Sequence, residues 1–143
     1  MKKLLFIVSL FFTVNLYGQF YYKPIADSFI SKWLGKPYRY GGETKKGIDC
    51  SAFTREFYRI VLGFDIPRTA YYQELFLRKV KREDLRPGDI IFFNSKVSPS
   101  KRHCGVYIGS GQFIHAANYR EGVKISCIDD EPYNRIYRGA GRL

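Results

Sequence analysis

Histidine and cysteine are scarce in this sequence, which has two histidines and three cysteines among 143 residues. Cys50, Cys104 and Cys127 cannot all pair within one chain, so a complete disulfide framework is excluded. No Cys-x-x-Cys or His-x-x-x-His spacing is present, and such pairs are what usually pre-form a zinc site. We therefore predict that the protein uses no metal ion and no other cofactor.

Long apolar runs are also scarce, and the one that exists lies at the start of the chain. Two lysines precede a run from Leu4 to Leu16, and the small residue Gly18 follows it. This order is typical of a secretory signal peptide, whereas a retained membrane anchor would need about 20 apolar residues. We predict a signal peptide over residues 1–18, one domain over residues 19–143, and export to the periplasm or cell envelope, or secretion, without stable membrane insertion.

Acidic residues are outnumbered, because 13 Asp and Glu face 24 Lys and Arg, for a formal net charge of +11. Such an excess favours an anionic partner, or serves only to keep the protein soluble. The basic residues are scattered, and no zinc-finger spacing or RNA-recognition signature accompanies them, so we predict no nucleic acid partner. A wall polymer with carboxylates and phosphates fits the predicted compartment better. The sequence does not indicate an oligomeric state.

Apolar residues follow helical spacing in the first part of the domain and form short runs in the second part. Three helices are predicted: one with Ile25, Phe29, Ile30 and Trp33 on its apolar side, one that follows the N-cap Asp49 and buries Phe53, Phe57, Ile60 and Val61, and one over Ala70–Phe76. Strands are predicted over Ile90–Phe93, Gly105–Ile108, Gln112–Ala116 and Val123–Ile128. This order predicts an α+β fold with N-terminal helices packed on an antiparallel sheet.

Cys50 would be the first residue of the second helix, and this position favours reactivity. Backbone N–H groups without acceptors and the helix dipole stabilise a negative charge there, and the thiolate is the reactive form of cysteine. The Asp49 carboxylate would accept hydrogen bonds from backbone N–H groups at the helix start, which limits its electrostatic opposition to a Cys50 thiolate. The alternative is a buried structural cysteine, which is the ordinary role of a lone thiol.

Both histidines fall on the predicted β-hairpin. With a three-residue loop over 109–111, Val106 pairs with Ile114, and the two imidazoles lie on one face of the hairpin as diagonal neighbours. A two-residue loop would place them on opposite faces. One imidazole would then take the proton of Cys50 while the second orients the first. The alternative is a pair of polar histidines at a sheet edge.

Five short motifs, in this order along the chain, resemble the NlpC/P60 family of cell-wall cysteine peptidases, which has a papain-like α+β fold. They are Lys36–Gly42, Gly47–Ser51, Ile66–Thr69, Leu85–Asp89 and His103–Ala116. Two positions depart from the family pattern, since Ala52 stands where glycine is usual and Cys104 where valine is usual. Neither change removes a catalytic group, and we expect Cys104 to pack as a small apolar residue on the face opposite His103.

For catalysis, the resemblance implies that Cys50 attacks an amide and forms a thioester, with His103 as its general base and His115 orienting His103. The family typically cleaves peptidoglycan stem peptides between γ-D-glutamate and a diamino acid, usually diaminopimelate. Because a thioester does not dictate its acceptor, transpeptidation or another acyl transfer is an alternative function. A non-catalytic wall-binding module on the same fold is a second alternative.

For substrate binding, the resemblance implies roles for three more residues. Tyr38 would place its hydroxyl near the nucleophile, where it and the Cys50 N–H could bind an oxyanion. Asp49 and Ser51 would recognise the free amine of a terminal L-Ala in trimmed peptides. Capping the helix and binding an amine are competing uses of the same Asp49 carboxylate.

Overall fold

The computed structural model describes residues 23–143, so the predicted signal peptide lies outside the described residues. The elements in chain order are α1 (Lys23–Trp33), β1 (Glu43–Thr44), β2 (Gly47–Ile48), α2 (Cys50–Phe57), α3 (Ala70–Phe76), β3 (Arg78–Val80), β4 (Ile90–Asn94), β5 (Arg102–Gly109), β6 (Gln112–Ala116), β7 (Val123–Cys127), α4 (Tyr133–Ile136) and β8 (Tyr137–Arg142). The predicted α+β class is confirmed, because α1, α2 and α3 precede an antiparallel sheet. Within residues 23–143, no helix is long and apolar enough to cross a membrane.

The main sheet has the strand order β3-β8-β4-β5-β6-β7, and every pair of neighbours is antiparallel. The sequence pattern predicts the four strands β4 to β7 but not β3 and β8. β8 contains Gly139 and Gly141 and therefore lacks the apolar alternation that marks a strand. The packing requires the second glycine, since a Cβ at Gly141 would lie 2.7 Å from the Cβ of Leu77.

The two faces of the sheet are covered by different elements. Helix α2 packs against one face and buries the larger core, to which the sheet contributes Ile90, Phe92, Cys104, Val106 and Ile114. The short helix α4 packs against the other face, over Ile91, Phe93 and Phe113. Because side chains alternate along a strand, consecutive residues of β5 contribute to different cores.

Helix α2 begins at Cys50 and is capped by Asp49, as predicted, but it ends differently. The five residues after α2 form a π-helical turn, and Gly63 ends it with a φ of 73°. The wider turn rotates the chain, so that Tyr58 is buried and Ile60 is 53% exposed. The prediction that Ile60 lies on the buried stripe was therefore wrong.

The β5–β6 hairpin closes with a tighter turn than the predicted three-residue loop. Gly109 pairs with Gln112 across two residues whose φ angles are 53° and 72°, as a type I′ turn requires. The turn is one residue shorter than the predicted loop, and a β-bulge at Ile108 takes up the extra residue in β5. Val106 therefore pairs with Ile114 as predicted, and both histidines lie on one face of the sheet.

Candidate active site

A cleft of about 750 Å³ opens at the N-terminal end of α2. Its walls include five of the residues that were predicted to form the site: Tyr38, Asp49, Cys50, Ser51 and His103. The sixth, His115, lies behind His103 and is fully buried. The fold therefore gathers all six residues at one place, although they come from a loop, a helix start and two strands.

The thiol of Cys50 lies at the first position of α2 and is largely buried. A hydrogen bond from Cys104 lowers the pKa of this thiol well below its usual value, and the charge and hydrogen bond of His103 add to the effect against the opposing effect of burial. The Asp49 carboxylate accepts a hydrogen bond from the N–H of Ala52 at 2.8 Å, so part of its acceptor capacity serves the helix start. These contacts favour the reactive thiolate.

His103 and His115 are joined by a 2.7 Å contact between Nε2 of His103 and Nδ1 of His115. Burial lowers the pKa of His115 well below its usual value, and the charge of His103 adds to this, so His115 is neutral. Nε2 of His115 lies 2.9 Å from Oγ of Ser126. The consistent assignment is that His103 donates from Nε2 to His115, which donates from Nε2 to Ser126. Nδ1 of His103 is then the ring nitrogen that is available to interact with Cys50.

Gly105 makes the close approach of the two histidines possible. A Cβ at this position would lie 2.9 Å from the Cβ of His115 and 2.8 Å from the ring of Phe113. A larger residue would therefore push His115 away from His103. Tyr133 covers the other side, with its hydroxyl 3.5 Å from Nε2 of His115.

Tyr38 lines the cleft beside Cys50 and is held from two directions. Its backbone forms a bridge with Ile48, just before α2, and its ring packs edge-on against Tyr119 with 5.0 Å between centroids. Burial raises the pKa of the Tyr38 phenol, and the charges of Cys50 and Asp49 raise it further. The phenol therefore stays protonated and is able to donate a hydrogen bond into the cleft.

The Asp49 carboxylate, predicted to bind a substrate amine, is already engaged by Arg68. Arg68 donates to Oδ1 of Asp49 at 3.0 Å and to Oδ2 at 2.7 Å, in a two-bond fork. The N–H of Gly41 also donates to Oδ2, at 3.0 Å. Ser51 belongs to the same network, because Arg68 donates to its hydroxyl oxygen at 3.0 Å. Glu43 accepts from Nε of Arg68 at the outer end. A substrate amine would have to share or displace this guanidinium.

The sequence profile of the NlpC/P60 family matches residues 35–142. The chain belongs to the NlpC/P60 family. A probable endopeptidase NlpC homolog of Haemophilus influenzae is 40% identical over 116 residues, and the murein DD-endopeptidase MepS/murein LD-carboxypeptidase of Escherichia coli is 40% identical over 111 residues. These alignments cover 81% and 78% of this chain but 60% and 57% of the relatives, so the chain spans less than two thirds of their length.

A solved structure gives the same assignment for the fold. The NlpC/P60 domain of the peptidoglycan hydrolase SagA superimposes with a TM-score of 0.69 at 30% identity, covering 84% of this chain and 97% of that one. The papain-like NlpC/P60 fold that the motifs implied is therefore confirmed.

Three contributors to the site of this NlpC/P60 domain were not predicted from the sequence. Arg68 lies within one of the five motifs, which could have marked it, but its partner Asp49 is adjacent only in the folded chain. Ser126 lies on β7 and has no local signal at all. Cys104 does pack in the core as predicted, yet it is also the largest cause of the lowered pKa of the Cys50 thiol, which apolar packing alone does not describe.

Proposed function

We propose that this chain is a cysteine peptidase that hydrolyses the stem peptides of peptidoglycan. The observation that supports it most is the cleft lined by both the low-pKa thiol of Cys50 and the imidazole of His103. His103 bonds to His115, and His115 bonds in turn to Ser126. The relatives support the substrate class, since one is named as a murein endopeptidase and another as a peptidoglycan hydrolase.

In the first half of the proposed reaction, the Cys50 thiolate attacks the carbonyl carbon of the scissile amide and forms a C–S bond. The Tyr38 hydroxyl and the Cys50 N–H donate to the resulting oxyanion, and such donors contribute about 3–4 kcal/mol each in other enzymes. The proton on Nδ1 of His103 passes to the leaving nitrogen as the C–N bond breaks. The amine product departs and leaves a thioester.

In the second half, a water molecule attacks the thioester carbon while Nδ1 of His103 takes one of its protons. The C–S bond breaks, the product leaves with a new carboxyl group, and Cys50 returns as a thiolate beside protonated His103. His115 stays neutral throughout and accepts the hydrogen bond from Nε2 of His103, so it orients the ring without taking its proton.

We propose the γ-D-glutamyl–diaminopimelate bond as the one cleaved, because the five motifs resemble enzymes with that specificity. The D,D-crosslink between stems is the second candidate, since the Escherichia coli relative is named as a DD-endopeptidase. The bonds between Arg68 and Asp49 leave little acceptor capacity for a substrate amine. This favours intact stems over trimmed peptides with a free L-Ala, and it makes Asp49 and Ser51 the residues that position Arg68.

The test is a digest of defined muropeptides, with uncrosslinked tetrapeptide stems and D,D-crosslinked dimers as separate substrates and mass spectrometry of the products. We expect cleavage by the wild-type protein and none by Cys50→Ala. Cys127→Ala is the matched control, because Cys127 does not line the cleft, and it should cleave normally. Undiminished cleavage by Cys50→Ala would overturn the proposal. Products joined to an added amine would indicate acyl transfer, and binding to sacculi without products would indicate a wall-binding module.

A further inference from the structure

Arg102 lies at the start of β5, directly before His103, and lines the same cleft. The reaction described above does not use it. Its side chain is 15% exposed, and its Nε donates to Oε2 of Glu74 at 2.7 Å. Its Nη1 donates to the backbone oxygen of Lys101 at 3.2 Å. Because Glu74 belongs to α3, these bonds fix the guanidinium between α3 and the start of β5.

One end of the Arg102 guanidinium is left without a partner. Its Nη2 donates to no acceptor within residues 23–143. In that part of the chain, Oη of Tyr137 is the one buried side-chain polar atom that lacks a partner, so Nη2 of Arg102 is open to solvent. An oriented guanidinium with accessible N–H groups is suited to bind a carboxylate, whose planar geometry it matches.

Glu74 neutralises the charge of Arg102 only in part. Oε1 of Glu74 also accepts from Nε of Arg138 at 2.7 Å, so two guanidinium groups share one carboxylate. Burial raises the pKa of Glu74, but its hydrogen bonds with Arg102 and Arg138 outweigh this effect and lower the pKa, so Glu74 is ionised. The three side chains therefore carry one positive charge in excess.

Arg68 is the other arginine of the cleft wall among the described residues, and its donors are already occupied. It donates to both oxygens of Asp49 and to the carboxylate of Glu43. Its charge is therefore balanced within the protein. Arg102 is the cleft arginine whose charge and N–H groups remain available to a bound anion.

Two serine hydroxyl groups line the cleft close to Arg102 in the sequence. Ser98 and Ser100 belong to the loop before β5, and their Oγ atoms lie 3.0 Å apart. One hydroxyl donates to the other, so one of the two O–H groups remains free to donate elsewhere. This wall of the cleft therefore offers hydrogen-bond donors together with a positive charge.

Both bonds considered for cleavage have a carboxylate close to the scissile amide. In a γ-glutamyl linkage the side-chain carboxyl group forms the amide, so the α-carboxylate of the glutamate stays free on the acyl side. In a D,D-crosslink the amine comes from the D-centre of a diamino acid, and the carboxylate of that centre lies on the leaving side. Either bond would bring an anion into the cleft.

We infer that Arg102 is a specificity-determining residue that binds a carboxylate of the substrate through its free Nη2 group. Glu74 holds the guanidinium in position, and Arg138 prevents Glu74 from cancelling its charge. The inference rests on the proposed function and adds to it a preference for stem peptides whose carboxylate next to the scissile bond is not amidated.

The test measures the affinity of the full chain carrying Cys50→Ala for two matched pairs of stem peptides, by isothermal titration calorimetry. In one pair the glutamate α-carboxylate is free or amidated, and in the other the diaminopimelate carboxylate is free or amidated. We expect one of the two amidations to weaken binding about tenfold, because it removes a charged acceptor, and that pair identifies the carboxylate. Adding Arg102→Met should remove this preference by weakening binding of the free acid about tenfold.

Arg138→Met in the same Cys50→Ala background is the matched control. It also removes one guanidinium from Glu74, but Arg138 does not line the cleft, so the preference for the free acid should persist. Arg102→Gln replaces Arg102→Met if thermal unfolding shows that the methionine variant does not fold.

Equal binding of acid and amide in both pairs would overturn the inference, and so would a preference that persists in Arg102→Met or is lost in Arg138→Met. The muropeptide digest tests the proposed function separately. Cys50-dependent cleavage without a carboxylate preference contradicts only the role of Arg102. A preference that depends on Arg102, found together with no cleavage, supports the binding role and contradicts only the proposed hydrolysis.

Discussion

Two aspartate–arginine pairs have the same chemistry in different surroundings. In the cleft pair, Asp49 and Arg68, the side chains are 8% and 29% exposed. In the fold pair, Asp89 and Arg142, they are 2% and 9% exposed. In both pairs the guanidinium donates one hydrogen bond to each carboxylate oxygen. The cleft pair adjoins Cys50, whereas the fold pair joins the turn before β4 to the end of β8.

The difference in exposure separates two uses of the same interaction. Arg142 also donates to the backbone oxygen of Asp84 at 3.0 Å, and Asp89 also accepts from the N–H of Arg86 at 2.8 Å, so the fold pair ties three segments together away from water. Removing one partner of the fold pair leaves the other as a buried charge that solvent cannot reach. The cleft pair borders an open space where water and substrate compete for its hydrogen bonds, so its value lies in positioning rather than in stability.

The largest effect is expected for Arg142→Met, which leaves the Asp89 carboxylate buried without its partner. The free energy of unfolding, measured by urea denaturation, should fall by about 3–5 kcal/mol. Arg135→Met is the matched control, because Arg135 pairs with Glu131 at the surface, and it should change stability by less than about 0.5 kcal/mol. A loss below about 1 kcal/mol in Arg142→Met would contradict the role of the fold pair.

A smaller effect, opposite in sign, is expected when Asp89→Leu is added to Arg142→Met. Removing the stranded carboxylate should restore about 1–2 kcal/mol of the stability lost by the single variant, because an apolar pair carries no desolvation penalty. Equilibrium urea denaturation of both variants measures this difference. A double variant less stable than Arg142→Met would show that the other bonds of Asp89 matter more than its charge.

For the cleft pair, Arg68→Met should reduce kcat/KM for muropeptide cleavage about tenfold, because an unpaired Asp49 charge beside Cys50 disfavours its thiolate. The free energy of unfolding should fall by no more than about 1 kcal/mol. Steady-state digests and urea denaturation on the same preparation measure the two effects. A stability loss as large as that of Arg142→Met, with normal cleavage, would remove the distinction between the pairs.

The smallest effect is expected for Arg68→Lys, which keeps the positive charge but loses the planar fork. One ammonium group cannot bind both oxygens of Asp49 in the same geometry, so we expect about a threefold loss in kcat/KM. The same digest measures it, with Arg68→Met as the reference. A loss equal to that of Arg68→Met would show that the fork, rather than the charge, is what the site requires.

The sequence predicted the parts of the fold that local patterns encode. Helix α3 matches its predicted bounds, and α2 starts at Cys50 because Asp49 is a good N-cap. Strand β8 was missed because its glycines give no apolar alternation, and β3 because it is three residues long with two exposed basic residues. These strands form because partners distant in the chain supply their hydrogen bonds, which no local pattern records.

For the site, the sequence predicted the residue types but not the contacts between them. The prediction that His103 and His115 share one face followed from the alternation of side chains along the hairpin. It is correct because a β-bulge compensates for the shorter turn. The contact of Arg68 with Asp49, and that of Cys104 with Thr54, depends on how the loops and α2 pack on the sheet. Such contacts are set by tertiary packing rather than by spacing.

The strand order of the main sheet places β3 at one of its edges. An open edge offers unpaired backbone groups to which a second protein chain can add a strand, which is a common beginning of aggregation. Here Arg78, Lys79 and the following Lys81 are all exposed along that edge. A second copy that extended the sheet through its own β3 would bring six positive charges together. Electrostatic repulsion therefore disfavours pairing of two β3 edges, even at high local protein concentration.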